Sequence, residues 1–240
     1  MAKTLVIASG KGGTGKTMFT ANLGATLSLK GKKVCLIDMD CGLRNLDLYL
    51  GLENNVVYDV MDVLNGVCRI KQALLKDKDF PNLYFIAASP KVDEGKITPL
   101  HMKVLCDKLK DMFDYIIIDA PAGFDDQVQV ALGGVDSVVL VLTPEYASIR
   151  DAEAVTYGLK NQGIKSIFYV LNKVDVDLIK KGLSPDLEEI PRSIRDRVIG
   201  VIQEDENIHI STNVGMPIVL MDESYVRKNF ERIANRILKI

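Results

Sequence analysis

A glycine-rich segment bounded by two lysines holds the residues best suited to chemistry. Residues 10–17 read Gly-Lys-Gly-Gly-Thr-Gly-Lys-Thr and fit the phosphate-loop pattern G-x-x-x-x-G-K-[ST]. Glycines let successive backbone N–H groups turn toward phosphate oxygens, and the N-terminus of a following helix adds positive potential. We therefore predict that the phosphates of a nucleotide bind to Gly10, Lys11, Gly12, Gly13, Thr14, Gly15, Lys16, Thr17 and Met18.

Three side chains of this segment have individual expectations. Lys16 should reach the β- and γ-phosphates, and the hydroxyl of Thr17 should bind Mg²⁺. Lys11 occupies a position where an ordinary phosphate loop tolerates almost any residue. It either folds back on its own site, reaches the nucleotide of another subunit as the counterpart of an arginine finger, or is simply solvated.

Carboxylates close two of the apolar runs. Asp38 and Asp40 end one run, and Asp119 ends another, Tyr115-Ile-Ile-Ile-Asp119. The carboxyl ends of parallel strands meet near the phosphate loop of an α/β sheet, and phosphoryl transfer needs carboxylates there to hold Mg²⁺ and orient water. We predict metal binding by Thr17, Asp38, Asp40 and Asp119, with helix capping or turn formation as the alternative for the carboxylates.

Asn172-Lys-Val-Asp175 follows a later apolar run and has the form N-K-x-D. This pattern reads guanine in many GTPases, but an amide side chain can equally pair with adenine. A polar turn at a strand end is the third interpretation. The segment by itself does not decide between ATP and GTP.

Seven short apolar runs predict the strands that position these residues. The runs are continuous rather than alternating, as in strands that are buried on both faces. Helical patterns lie between them, so the prediction is an α/β fold: a doubly wound, mostly parallel sheet of seven or eight strands with helices on both faces, in one domain spanning residues 1–240. The predicted strands are Leu5–Ala8, Val34–Asp38, Leu83–Ala87, Tyr115–Asp119, Ser137–Leu142, Ile167–Leu171 and Val198–Ile202.

The predicted helices carry recognisable start and stop signals, such as Thr98-Pro99 at a helix start and Gly31 after a helix end. Residues 175–197 have a mixed charge run and are expected to form a surface connection or a cap. The predicted helices are Thr17 to Lys30, a short one with Val57, Met61 and Leu64, one from Pro99 with Leu105, Leu109 and Met112 on one face, Gln129 to Gly133, Ala152 to Gln162, and Glu223 to Ile240.

Composition excludes several classes of protein. The 240 residues include 30 Lys and Arg against 32 Asp and Glu, a net charge of −2, so a mainly electrostatic nucleic-acid binder is not expected. Hydrophobic residues make up 48%, which excludes a disordered chain. The four cysteines form no CxxC pair, and the sequence has neither a signal peptide nor a long apolar run. We expect a cytoplasmic protein.

With these pieces assembled, the sequence resembles the MinD group of deviant-Walker-A ATPases, in the MinD/ParA branch of P-loop proteins. The loop with a lysine at each end, Lys11 to Thr17, is typical of the branch, and residues 38–47 resemble the switch I region of the MinD group. Asp119-Ala-Pro-Ala-Gly123 resembles its Walker B and switch II segment. Further matching stretches are residues 56–59, 72–78, 143–152 and 200–205.

The resemblance implies a slow, partner-stimulated ATPase that uses ATP and Mg²⁺ to form a face-to-face homodimer. In that case Lys11 crosses to the phosphates of the other subunit, Asp40 positions water and helps to hold Mg²⁺, and Asn172 contacts adenine. Tyr146 and Arg150 lie either at the dimer interface or on an ordinary surface. Such proteins are peripheral to the inner face of the bacterial membrane and place the division site, together with a septum inhibitor and, in some lineages, an activator of hydrolysis.

The sequence departs from this group at three points. Gln203 replaces a usual proline on the adenine side, and Met18 replaces a small hydroxyl residue. The amphipathic membrane-targeting helix that usually follows the domain is not seen before Ile240, either by nature or by truncation. The last predicted helix has Val226, Phe230, Ile233 and Ile237 on one side and basic residues on the other. It is expected to cover the sheet, with binding to anionic lipid as the alternative.

Other functions remain open on the sequence. A related regulator of chromosome or plasmid partition, or of flagellar number, would use the same chemistry with a different cargo. An ATP-dependent iron–sulfur carrier or reductase would need cysteines poised across a dimer axis. A phosphotransferase would need an acceptor cleft, for which the sequence has no dedicated motif.

Overall fold

A computed structural model describes residues 2–91, 97–187, 190, 194, 196–221 and 224–240. The strands are β1 (Lys3–Ser9), β2 (Val34–Asp38), β3 (Leu75–Lys76), β4 (Leu83–Ile86), β5 (Tyr115–Ala122), β6 (Ser137–Leu142), β7 (Ile167–Val174) and β8 (Arg197–Gln203). They form one eight-stranded sheet in the order β3-β4-β2-β5-β1-β6-β7-β8. Every pairing is parallel except that of β3 with β4. The predicted fold class is therefore confirmed.

Helices connect the strands and cover both faces of the sheet. They are α1 (Lys16–Leu29), α2 (Leu46–Leu50), α3 (Val60–Leu64), α4 (Ile70–Ala73), α5 (Pro99–Lys110), α6 (Asp126–Ala131), α7 (Tyr146–Asn161), α8 (Val176–Lys180), α9 (Glu206–Asn213) and α10 (Tyr225–Ile237). Short 3-10 turns lie at Glu53–Asn55 and Ile218–Leu220. No helix in the described part of the chain is long and apolar enough to cross a membrane.

Two hydrophobic layers explain why the strands are apolar without alternation. Consecutive residues of β1 point to opposite faces, so Val6 packs in one layer and Ile7 in the other, and both are fully buried. One layer joins the sheet to α1, α2 and α10, and the other joins it to α3, α5, α6 and α7. Polar residues are thereby left to the strand ends, where the candidate site lies.

The seven predicted strands are present with small differences at their ends. The eighth strand, β3, has two residues, which are too few to give a periodic pattern in the sequence. The short helix predicted around Val57 begins instead at Val60, because Asp59 and Asp62 form a reciprocal capping box at its start. Val57 lies outside the helix and is exposed.

The last helix, α10, packs against the sheet. Val226, Phe230, Ile233 and Ile237 are buried, and Phe230 lies 5.7 Å from the ring of Phe19 on α1. Arg236, on the basic side, donates a hydrogen bond to the carbonyl of Ile199 at 2.8 Å. The sheet-covering interpretation is confirmed, and the apolar face is not free to lie on lipid. The predicted start at Glu223 falls outside the described residues.

Candidate nucleotide-binding site

The glycine-rich segment joins β1 to α1 at the carboxyl edge of the sheet. It borders a cavity of about 650 Å³. Lys11, Gly10, Asp38 and Asp119 lie beside the cavity lining rather than in it. The predicted site residues that line it are Gly12, Gly13, Thr14, Gly15, Lys16, Thr17, Met18, Asp40 and Asn172.

The loop conformation depends on glycine. Gly13 and Gly15 have φ of 81° and 87°, in the left-handed region that glycine adopts without strain. A Cβ atom at Gly15 would collide with the amide of Asn172. Asn172 is buried, and its Nδ2 donates to the carbonyl of Thr14 at 2.7 Å, so it supports the loop from behind. Gly12 and Gly13 face open space, where phosphates can approach the backbone.

Lys16 and Asp119 form the buried polar centre. Nζ of Lys16 lies 3.7 Å from Oδ1 of Asp119, and these side chains are 7% and 0% exposed. The hydroxyl of Thr20, one turn into α1, donates to the same Oδ1 at 3.0 Å. Oδ2 of Asp119 is buried and has no hydrogen-bond partner among the described residues. Such an acceptor fits a ligand or a metal-bound water.

Both carboxylate oxygens of Asp38 accept hydrogen bonds from backbone N–H groups that follow β2. Its Oδ1 accepts from the N–H of Asp40 at 2.9 Å, and its Oδ2 accepts from the N–H of Leu46 at 3.1 Å. Burial, followed by repulsion from Asp119, raises the pKa of Asp38 to about 7. These contacts fix the chain between β2 and α2. The predicted metal-binding role of Asp38 stays a prediction, and its observed contacts are structural.

Asp40 is half-buried and lines the cavity. Burial raises its pKa; Lys16 opposes the shift, while Asp119 and Asp125 add to it. No group of three His, Cys, Asp or Glu side chains in the described part of the chain could hold a metal ion by itself. Mg²⁺ usually binds proteins through one or two carboxylates plus phosphates and waters. The donor set of Thr17, Asp40 and Asp119 fits a Mg²⁺ ion brought in with a nucleotide.

Lys11 has a partner within its own chain. Its Nζ lies 2.6 Å from Oε2 of Glu145, the residue before α7, and the two side chains are 35% and 59% exposed. The contact lowers the pKa of Glu145. Lys11 is thus not simply solvated. Its predicted reach to another subunit stays a prediction, and it would require this ion pair to open.

The other end of the cavity is lined by residues near the carboxyl ends of β7 and β8. They include Lys173, Glu204, Asp205 and His209, of which the last two belong to the start and body of the α9 region. Asn172 lies between this end and the loop, and its Nδ2 already donates a hydrogen bond to the carbonyl of Thr14. The predicted contact of Asn172 with adenine therefore stays a prediction.

Sequence reasoning missed three functional neighbours. Thr20, Glu145 and Asp125 each contact or influence a predicted site residue. Thr20 lies one helical turn after Lys16, so helical spacing could have predicted that it shares the buried side of α1 with Lys16. Glu145 gave no local signal, because its partner lies 134 positions away.

Comparisons with known proteins agree with this geometry. Residues 5–218 match the family described as the CobQ/CobB/MinD/ParA nucleotide binding domain. Septum site-determining protein MinD of Bacillus subtilis is 39% identical over 240 residues, covering 99% of this chain and 90% of that protein. The protein of the same name from Thermotoga maritima is 42% identical over 239 residues, covering 99% and 88%.

Solved structures give the same result. The MinC:MinD cell division protein complex of Aquifex aeolicus contains a chain with a TM-score of 0.92 and 36% identity, covering 100% of this chain and 97% of that one. MinD complexed with Mg-ADP from Pyrococcus horikoshii has a TM-score of 0.88 and 31% identity, covering 99% and 96%. The resemblance found in the motifs is confirmed: the chain belongs to the MinD group of the CobQ/CobB/MinD/ParA nucleotide-binding family.

Proposed function

We propose that this chain is a Mg²⁺-dependent ATPase that works as a dimerisation switch and places the division site by recruiting a septum inhibitor. The observation that carries the proposal is that Gly12, Gly13 and Lys16 line one cavity, with open space beside the two glycines and with Lys16 paired to the buried Asp119. That arrangement suits a nucleoside triphosphate. The names of the relatives support the cellular role.

Different residues of the site would bind the phosphates, hold Mg²⁺ and orient the attacking water. Backbone N–H groups of residues 12–16 and the ammonium of Lys16 would bind phosphate oxygens. Thr17, with Asp40 and Asp119 nearby, would hold Mg²⁺, and a bound Mg²⁺ supplies neutralisation of charge on the β- and γ-phosphate oxygens. Asp40 would accept a hydrogen bond from the attacking water and so orient it. Lys11, Lys16 and Asp40 are the residues to which we assign catalysis.

On dimerisation, Lys11 would leave Glu145 and bind the phosphates held by the second subunit. An exposed ion pair such as Lys11–Glu145 contributes only about 0–1 kcal/mol, so triphosphate oxygens of a second subunit could replace Glu145. Tyr146, 75% exposed, and the exposed Arg150 lie on α7 beside this pair. We place them at the interface that forms with ATP.

The partners follow from the same switch. The Aquifex aeolicus structure is a complex of MinD with MinC, and by analogy the ATP dimer of this chain would bind a septum inhibitor and, in turn, an activating protein. We propose a cytoplasmic protein that becomes peripheral on the inner face of the membrane. Binding to nucleic acid is not expected at a net charge of −2.

The alternatives receive less support. The plasmid partition protein of Borrelia burgdorferi bound to AMPPNP is only 24% identical at a TM-score of 0.81, so it supports the fold and not the cargo. Of the four free cysteines, Cys35, Cys41 and Cys106 are buried, an arrangement that does not favour an iron–sulfur site across a dimer axis.

The deciding experiment is light scattering of the Asp40→Ala variant in Mg·ATP and in Mg·ADP. Only the backbone N–H of Asp40 contacts Asp38, so the substitution leaves that anchor intact while slowing hydrolysis. We expect the molar mass to double in ATP alone. An unchanged monomer mass in both nucleotides, with ATP binding confirmed by titration, would contradict the dimer switch.

A further inference from the structure

A second concave surface lies away from the nucleotide. We define the α5 groove as the cavity of about 810 Å³ between the α3–α4 segment and α5. It lies on the face of the sheet opposite α1 and α10, and it shares no lining residue with the nucleotide cavity. Nothing in the proposed ATPase reaction uses it.

The walls of the α5 groove are apolar. The helix α5 turns Leu105 and Leu109 into the core, yet it also presents Leu100 and Val104 to solvent, at 66% and 46% exposure. These two residues are four positions apart and therefore lie on one side of the helix, one turn from each other. Half-buried Leu64 and Ile70 form the facing wall. An apolar patch of this size also occurs on ordinary surfaces, so the charge around it has to distinguish it.

The charge of the α5 groove has one sign. Arg69, Lys71 and Lys108 line it, and none of the described lining residues is acidic. None of these three cations has an ion-pair partner in the described part of the chain. By contrast, Lys103 and Lys110 on the same helix pair with Asp107 and Asp136. The three cations give the lining of the α5 groove a positive charge, although the chain as a whole has a net charge of −2.

We propose that the α5 groove binds an acidic amphipathic helix of a partner protein. Leucine-like side chains of such a helix would contact Leu100 and Val104, and its flanking carboxylates would face Arg69, Lys71 and Lys108. This is helix-in-groove recognition, in which anchors at positions i, i+3 and i+4 enter an apolar cleft. The concave shape favours a helix over a flat lipid surface.

The probe is a fluorescein-labelled helical peptide of about 18 residues, roughly five turns, with leucine on one face and glutamate elsewhere. A second peptide has lysine in place of every glutamate. Fluorescence anisotropy should show binding of the glutamate peptide, with the lysine peptide weaker by about tenfold or more. Added salt should weaken the glutamate peptide, because exposed charges are screened.

Matched variants locate the binding. Lys108→Glu and Leu100→Asp change exposed side chains in the groove and should each weaken the glutamate peptide by about tenfold. Lys30→Glu and Leu183→Asp change exposed side chains elsewhere and should have no effect. All four should keep the wild-type ADP affinity, so that loss of peptide binding is separable from failure of the ATPase. Lys108 lies in the last turn of α5 and Lys30 is the C-cap of α1, so the two charge reversals should lower the melting temperature slightly and to a similar extent.

Three results would overturn the proposal. One is equal binding of the two peptides, and another is glutamate-peptide binding that the groove variants leave unchanged. The third is an absence of glutamate-peptide binding; pelleting on phosphatidylglycerol vesicles that Leu100→Asp abolishes would then assign the surface to lipid.

Discussion

Asp38 and Asp40 are two positions apart, and their environments give them different tasks. Asp38 is fully buried, and both of its oxygens accept backbone N–H groups. Asp40 is half-buried and faces the cavity with its side chain. Because no backbone N–H of the described residues binds the carboxylate of Asp40, we predict that Asp40 binds water or a metal, whereas the observed contacts of Asp38 hold the local chain.

Thr20 supports the buried carboxylate that the sequence singled out. We expect Thr20→Val to lower the free energy of unfolding by about 1–3 kcal/mol, because buried Asp119 loses a hydrogen-bond donor. Urea unfolding without nucleotide measures the change. Thr26→Val is the matched control, since Thr26 lies on the same helix and its hydroxyl donates only to the carbonyl of Asn22. Equal costs for the two variants would contradict a special role for Thr20.

Lys11 does not line the cavity of its own chain, and we predict that it acts in the association step instead. We expect Lys11→Ala, in the Asp40→Ala background, to abolish the doubling of molar mass in Mg·ATP. Affinity for ADP should stay within about twofold of its parent, since Lys11 does not line the cavity and an exposed ion pair contributes little. Isothermal titration and light scattering measure the two quantities. A dimer that persists without Lys11 would refute its action across the interface.

At the scale of elements, the nucleotide cavity depends on contacts between short helices. The segment after α2 and the segment after α9 cross at two glycines: a Cβ on Gly215 would lie 2.7 Å from Cα of Gly51. Tyr49 on α2 and Thr212 on α9 both line the cavity. The crossing therefore ties the region near Asp40 to the end of the cavity beyond Asn172.

Alanine substitutions at two glycines with nearly the same φ angle test whether the crossing matters. Gly215 and Gly182 have φ of 64° and 66°, so alanine meets the same conformational strain of about 1–2 kcal/mol at each. Only Gly215 is crowded, whereas Gly182 has open space around its Cβ direction. We expect Gly215→Ala to lower the free energy of unfolding clearly more than Gly182→Ala, and to weaken ADP binding. Equal effects in urea unfolding and titration would show that the crossing is dispensable.

The whole molecule brings the site together at one edge of the sheet. The strands β2, β5 and β1 are neighbours, and each ends in a segment that supplies a site residue. On the other side of β1, β6 leads to Glu145 and β7 to Asn172. Ligands of open α/β sheets bind outside the carboxyl ends of the strands in this manner. Nucleotide binding should thus stabilise the fold as a unit.

The expected size of this stabilisation is set by mass action. Mg·ADP at about 100 times its dissociation constant should raise the free energy of unfolding by about 2.7 kcal/mol. Thermal unfolding of the wild type and of Lys16→Ala, each against its own nucleotide-free form, measures the effect. The rise should disappear in Lys16→Ala and shrink when EDTA removes Mg²⁺. A rise of equal size in all samples would place the nucleotide elsewhere.

The sequence by itself determined the loop, the seven long strands and the place of Asp119 after the apolar run of β5, although the strand continues to Ala122 instead of ending at Asp119. These features depend on neighbouring residues: glycine spacing, continuous apolar runs and the first polar residue after them. It also determined that the last helix has one apolar side, which the structure shows against the sheet.

Only the tertiary structure decided how the site residues are paired. Thr20 and Asp119 are 99 positions apart, Lys11 and Glu145 are 134 apart, and Asn172 and Thr14 are 158 apart. No local pattern specifies such a contact, because it depends on strand order and on the register in which buried strands pair.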